Sequence, residues 1–263
     1  MKLPLTAKVE QLTNREAVYL AELQSFTFEN LIVPTVRKEG RAIMISNVRP
    51  KNPLNNDVLT PTHLSALTEL YTKTTETHYL QSTDVWQSIQ QDLQLISTVQ
   101  PINNLSINRI EVIKKQLIQL AARFDETELM PLSIAHGDLT PWNTFLSQDK
   151  LHIYDWELAE RLPLLYDVFH YIFQTSVLVQ RLPYKNIKKQ LTTLEKTPII
   201  QSILINYDVQ FRQLYQFYLL RTISYYLARY SRQAQLHNQV FWLMDSWEAA
   251  LLDIKDSYLK DIF

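Results

Sequence analysis

The sequence predicts an α+β fold: a small N-terminal part that contains strands, and a larger, mainly helical C-terminal part into which one hairpin is set. Three observations carry this. Apolar residues recur at helical spacing through most of the chain after residue 60. Strand-like patterns are confined to the first 50 residues and to one central stretch, "TFLSQDKLHIYDW". The chain holds only two glycines, Gly40 and Gly137, and both interrupt periodic segments.

Taken in order, "KLPLTAKV" alternates apolar and polar residues, as a short half-buried strand does. "TNREAVYLAELQSF" opens on Thr13 with Glu16 three residues on, a capping-box pattern for a helix that has room to begin earlier. "LIVPTVRKEGRAIMISNV" reads as two strands turning at "KEG", with Gly40 supplying the turn. "RPKNPLNND" is a loop and marks the expected domain boundary, with residues 1–50 as one lobe and 51–263 as the other. Beyond it, "TPTHLSALTELYTKT" offers Thr60 as an N-cap and Pro61 at the first helical position. "STDVWQSIQQDLQLI" and "NRIEVIKKQLIQLAARF" carry helical spacing, and residues 163–263 are again mostly helical.

Composition narrows the function. At 263 residues and 46% apolar, the chain can bury a sizeable core. A formal net charge of -1 gives no bias toward nucleic acid or anionic membrane. With no cysteine there is no thiol catalysis, no disulfide and no thiolate metal site. The N-terminus lacks the apolar core of a signal peptide, and no run of about 18 apolar residues is present to span a membrane. The expectation is a soluble, cytoplasmic protein. Two isolated glycines also exclude a glycine-rich phosphate loop.

"IAHGDLTPWNTFL" breaks the helical pattern and gathers a His, an Asp and an Asn within eight residues. Asn143 lies five residues after Asp138, and Asp155 twelve beyond that, at the end of the strand-like "LHIY". If the intervening stretch is a hairpin turning at "SQDK", Asn143 enters one strand as Asp155 leaves the other. Their oxygens can then share one cation, with Asp138 standing nearby. Oxygen-only ligands suit Mg²⁺, which takes one or two carboxylates and completes its shell with substrate phosphates. A separate carboxylate can accept the proton of an attacking hydroxyl.

"HGDLTPWN" followed by "IYDWE" resembles the catalytic region of the aminoglycoside phosphotransferase and choline kinase-like family, small-molecule relatives of the protein kinases. The Asp-to-Asn spacing equals that of the protein-kinase catalytic loop. The resemblance implies a protein-kinase-like fold, with Asp138 as catalytic base, Asn143 as a Mg²⁺ ligand and Asp155 as the main one. His136 would brace the loop backbone. Gly137 would permit a tight turn where a side chain would strain the backbone or crowd substrate. Asp167, in "LPLLYDVFHY", would hydrogen-bond the catalytic loop. His152, His170 and the tryptophans are expected to pack or hydrogen-bond rather than to act as ligands.

A kinase of this shape also needs a lysine paired with a helix glutamate, and a loop over the nucleotide phosphates. Glu16 resembles that glutamate. Lys2 and Lys8 compete as its partner. Lys8 on the same helix would stand about 12 Å away along the axis, and Lys2 fits the family's strand-to-helix spacing better. If Lys2 is the partner, the chain starts at the third strand of the N-terminal lobe. The lobe is then shortened, without the phosphate-covering loop.

The reading is an ATP- and Mg²⁺-dependent kinase that phosphorylates a hydroxyl of a small molecule, such as a sugar, an amino alcohol or an aminoglycoside-like compound. The alternative is a catalytically impaired pseudokinase that serves as a binding or scaffold protein. No nucleic acid partner is expected. A homo-oligomer or a partner covering the exposed N-terminal sheet edge is. A metal hydrolase built on His136, Asp138 and Asp155 lacks a further histidine at useful spacing.

Overall fold

The computed structural model describes residues 7–39, 42–51, 53–54, 57–98, 107–125 and 127–262. In chain order its helices are α1 (Ala7–Leu23), α2 (Pro61–Thr74), α3 (Asp84–Thr98), α4 (Ile107–Ala121), α5 (Tyr166–Gln174), α6 (Tyr184–Glu195), α7 (Pro198–Asn206), α8 (Phe211–Tyr230) and α9 (Asn238–Ile262). Its strands are β1 (Leu31–Ile32), β2 (Val36–Glu39), β3 (Ala42–Ile45), β4 (Glu76–Tyr79), β5 (Leu129–Ala135), β6 (Thr144–Ser147), β7 (Lys150–Ile153) and β8 (Glu160–Pro163). The architecture is mixed α/β, with small sheets and a larger number of helical residues. No described helix is long and apolar enough to cross a membrane. Two compact units divide the chain: residues 1–76 with 131–175, and residues 77–130 with 176–263.

The first unit contains the polar cluster. β6 and β7 form an antiparallel hairpin, Thr144 opposite Ile153 and Ser147 opposite Lys150. Gln148 and Asp149 make its two-residue turn, both at positive φ (51° and 58°), the handedness that matches the twist of paired strands. β1 joins the other edge of β7 in parallel. β5 pairs antiparallel with β8, Leu132 opposite Pro163 and Ala135 opposite Glu160. Leu151, Ile153, Trp156, Phe169 and Tyr171 are fully buried in this unit, each contributing roughly 1.5–3 kcal/mol of apolar transfer.

α2 starts where the sequence predicts. Pro61 sits at the first helical position, and the Thr60 N–H donates to His63 Nδ1 at 3.2 Å. α1 packs on the turn at Trp156–Leu158. Its Arg15 donates to the Ala159 carbonyl (2.6 Å) and pairs with Glu160 (3.3 Å). Arg161 of β8 ties α1 and α2 together through Glu22 (2.5 Å) and the Thr74 carbonyl (2.8 Å).

Local expectations fail at three places, each for a physical reason. The strand read at "KLPLTAKV" lies partly outside the described residues, and from Ala7 onward the chain is α1. Thr13 is therefore no N-cap: it is buried inside α1, 4% exposed. "LIVPTV" does not continue into the β2–β3 hairpin. Pro34, which has no N–H to give a ladder, separates β1 from β2, and β1 pairs with β7 instead.

The second unit is built of helices. α8 packs on both α3 and α4, and α9 packs on α4 and α8. Arg109 of α4 grips Glu248 (2.8 Å) and Asp245 (2.6 Å) of α9. Asp92 of α3, 7% exposed, lies between Arg221 (3.5 Å) and Arg229 (3.3 Å) of α8.

Candidate active site

The site is assembled by a strand end, a turn, a hairpin and a helix start, all within the first unit. β5 delivers His136, Gly137 and Asp138 at its C-terminal end. The chain then turns through Thr140–Asn143, with Pro141 in second position and the Asn143 N–H on the Thr140 carbonyl at 3.1 Å. The Tyr154 N–H bonds the Asn143 carbonyl at 3.1 Å. That bond sets Asn143 across the hairpin from the residue before Asp155, as the hairpin reading requires.

The Asn143 side chain closes onto Asp138. Its Nδ2 donates to the Asp138 carbonyl (2.9 Å) and to the Asp138 carboxylate Oδ2 (3.1 Å). With both amide protons used, the amide's remaining polar atom is Oδ1, an oxygen of the kind Mg²⁺ accepts. Asp155 is half-buried and adopts the left-handed conformation, φ 65° and ψ 59°. Asp tolerates this conformation better than most residues, and such outliers cluster at functional sites.

His136 is fixed on every side. Its backbone N–H donates to Asp167 Oδ2 at 2.7 Å. Its Nδ1 accepts the Asp138 N–H at 3.2 Å, which leaves the ring proton on Nε2 to meet the Tyr154 carbonyl at 2.9 Å. The ring meets Trp156 edge-on at 5.1 Å. Gly137 has φ 82°, and a Cβ added there would lie 2.3 Å from the Leu158 carbonyl oxygen. The glycine thus lets the loop close against the turn that follows Asp155.

Asp167, 2% exposed, receives the His136 and Gly137 N–H groups, one on each oxygen. Burial pushes its pKa up, against the lowering effects of His136 and of those two donors. Asp138 moves the other way. Burial alone would raise its pKa, but the hydrogen bond and charge of His170, then His136 and the Asn143 amide, hold it below the usual carboxylate value. His170, fully buried, places Nε2 3.1 Å from Asp138 Oδ1. The sequence places His170 among packing or hydrogen-bonding residues, and the structure gives it Asp138 as partner; its i+3 relation to Asp167, on one helix face, is the local signal that points toward the loop.

Glu16 lies on α1, 1% exposed and one residue from the Arg15 contacts with Ala159 and Glu160. Lys2 lies outside the described residues, and of Lys8 only the backbone, in α1, is described. Among the described residues, no group of three or more His, Asp or Glu side chains gathers in metal-binding geometry. A cation at Asn143 and Asp155 would therefore take few protein oxygens, as Mg²⁺ does when phosphates and water complete its shell.

Residues 78–187 match the model of the phosphotransferase enzyme family. No curated protein matches the sequence. Among solved structures, the ethanolamine kinase of Plasmodium vivax is 14% identical, with a TM-score of 0.60 over 94% of this chain and 73% of that one. An ADP-bound aminoglycoside phosphotransferase is also 14% identical, with a TM-score of 0.51 over 96% of this chain and 84% of that one. A glucosamine kinase, 13% identical with a TM-score of 0.49 over 76% of this chain, is matched over only 53% of its own length. The chain thus has a kinase-like fold, and its residues 78–187 are similar in sequence to the phosphotransferase enzyme family.

Proposed function

We propose that this chain is a small-molecule kinase that moves the γ-phosphate of ATP to a hydroxyl group. One observation carries the reading. Asp138 stands at the end of β5 with its Oδ2 fixed by the Asn143 amide, while Asn143 stands across the hairpin from the residue before Asp155. A base and two oxygen ligands thus share one loop assembly.

Asp138 accepts the proton of the acceptor hydroxyl as its oxygen attacks the γ-phosphorus in line and the bond to the ADP oxygen breaks. Asn143 Oδ1 and the Asp155 carboxylate would hold Mg²⁺, which when bound neutralises charge on the phosphates. His136, Gly137 and Asp167 act on the loop backbone and keep Asp138 in place. Glu16 would orient a phosphate-binding lysine, for which Lys2 remains the preferred residue over Lys8, and the adenine would lie near residues 44–50. Catalysis then comes from positioning and charge stabilisation. Because the solved relatives include an ethanolamine kinase and an aminoglycoside phosphotransferase, the acceptor classes to assay are amino alcohols, aminoglycoside-like compounds and sugars.

The test is calorimetric titration of the chain with a non-hydrolysable ATP analogue, with and without Mg²⁺, followed by an acceptor panel. Mg²⁺-dependent binding is expected. No binding at millimolar nucleotide would overturn the reading and favour the pseudokinase.

A further inference from the structure

Asp167 and His170 are three residues apart on α5, so one helix face carries both. Asp167 is spent on the loop backbone, on the N–H groups of His136 and Gly137. His170 reaches the side chain that the loop exists to present: its Nε2 is 3.1 Å from Asp138 Oδ1. The imidazole is fully buried, and the Tyr166 ring stacks beside it at 6.1 Å and 10°. A ring packed in this way has little freedom to rotate, so its Nε2 is a fixed point.

The Asp138 carboxylate is consequently held at both oxygens by different elements. Oδ1 meets His170 on α5, and Oδ2 takes the Asn143 amide at 3.1 Å from the start of the hairpin. A carboxylate bonded at one oxygen can still swing about its Cα–Cβ and Cβ–Cγ bonds. Bonded at both, it has one plane, and the lone pairs left over point in fixed directions. An error of about 1 Å in placing a reacting group can cost about 100-fold in rate.

We propose that His170 is a positioning residue for phosphoryl transfer: as an Nε2–H donor it fixes the plane of the Asp138 carboxylate so that the base stays aimed at the acceptor hydroxyl. This rests on the reading of Asp138 as the base. His170 touches neither nucleotide nor acceptor, and acts through Asp138 alone. It needs its proton on Nε2, because a bare Nε2 facing a carboxylate would repel it.

The experiment has two arms. The first uses phosphoryl transfer from ATP–Mg²⁺ to water, an acceptor that needs no identification. His170→Phe keeps a ring and removes the donor. It should lower kcat by about 10- to 100-fold while KM for ATP and the Kd of an ATP analogue stay within about twofold. His170→Gln, whose amide nitrogen can reach the same point, should restore most of kcat. A His170→Phe chain with unchanged kcat, or one that loses nucleotide binding in parallel, would overturn the proposal.

The second arm needs no activity. In ¹⁵N-histidine-labelled chain, His170 should show a protonated Nε2, and the signal should shift in Asp138→Ala. A neutral ring with its proton on Nδ1 would overturn the proposal even if the enzyme is active. Absence of any turnover in the unsubstituted chain would count against the kinase reading, and the nitrogen signals would still decide the His170–Asp138 bond.

Discussion

Gly137 and Leu158 meet so closely that no side chain fits between them: a Cβ on Gly137 would lie 2.3 Å from the Leu158 carbonyl oxygen. The glycine stands between His136 and Asp138, and Leu158 stands three residues after Asp155. This contact joins the loop that carries Asp138 to the end of the hairpin that carries Asp155. Gly137→Ala meets both a backbone clash and a left-handed φ of 82°. We expect a loss of about 3 kcal/mol in urea unfolding, from left-handed strain plus overpacking, with loss of phosphoryl transfer. A variant as stable and active as the parent would mean that the loop does not need this approach.

Asp138 and Asp155 should separate chemistry from binding. Asp138→Asn should lower kcat by about 10²- to 10⁴-fold, the usual contribution of a general base, and leave Mg²⁺-dependent nucleotide affinity intact. Asp155→Ala should instead abolish that affinity in calorimetry. Because the Asp138 pKa is depressed, the base stays ionised below the usual carboxylate range. The acid limb of kcat against pH should accordingly fall below the ordinary aspartate range. An acid limb near neutrality would assign the proton acceptor to another group.

Asp167→Ala removes the acceptor for two backbone N–H groups at once, those of His136 and Gly137. His136 is fully buried, so its N–H has no water to turn to. Stranding such donors costs about 1–3 kcal/mol each. The chain should lose stability by that order and lose kcat before nucleotide affinity. Hydrogen exchange at the His136 and Gly137 amides would report the same bonds directly, and exchange rates unchanged by the substitution would refute their role.

His63 should give folding a pH dependence. Buried at the start of α2, it has its pKa pushed down to about 4 by desolvation. In the unfolded chain it takes up a proton near its ordinary value of 6.5. Between these values the unfolded state binds more protons, so stability falls as pH drops from about 6.5 to about 4, by roughly 3 kcal/mol in all. His63→Asn keeps an acceptor for the Thr60 N–H and cannot titrate. Urea midpoints measured across that window should flatten in the variant, and an unchanged slope would assign the effect elsewhere.

The residues of the candidate site were legible because their relations are local. Asp138 and Asn143 lie five residues apart across a turn whose proline is visible, and Asp155 sits where a period-two hairpin returns beside Asn143. Alternation fixes which ends of a hairpin meet, and a proline or a lone glycine marks where the backbone must turn. Thr60 with Pro61 announced α2 in the same way. What the sequence by itself determined is therefore the set of chemical groups and their order along one turn and one hairpin.

Tertiary structure decided which groups face that set. The His170 ring on Asp138, the Asp167 carboxylate under the loop and the Leu158 carbonyl against Gly137 all join segments more than twenty residues apart. So does the pairing of β1 with β7, which a local reading assigns to the wrong hairpin. No period or cap encodes such partners. They are chosen by which faces can bury together, and by where a buried N–H or carboxylate finds its complement.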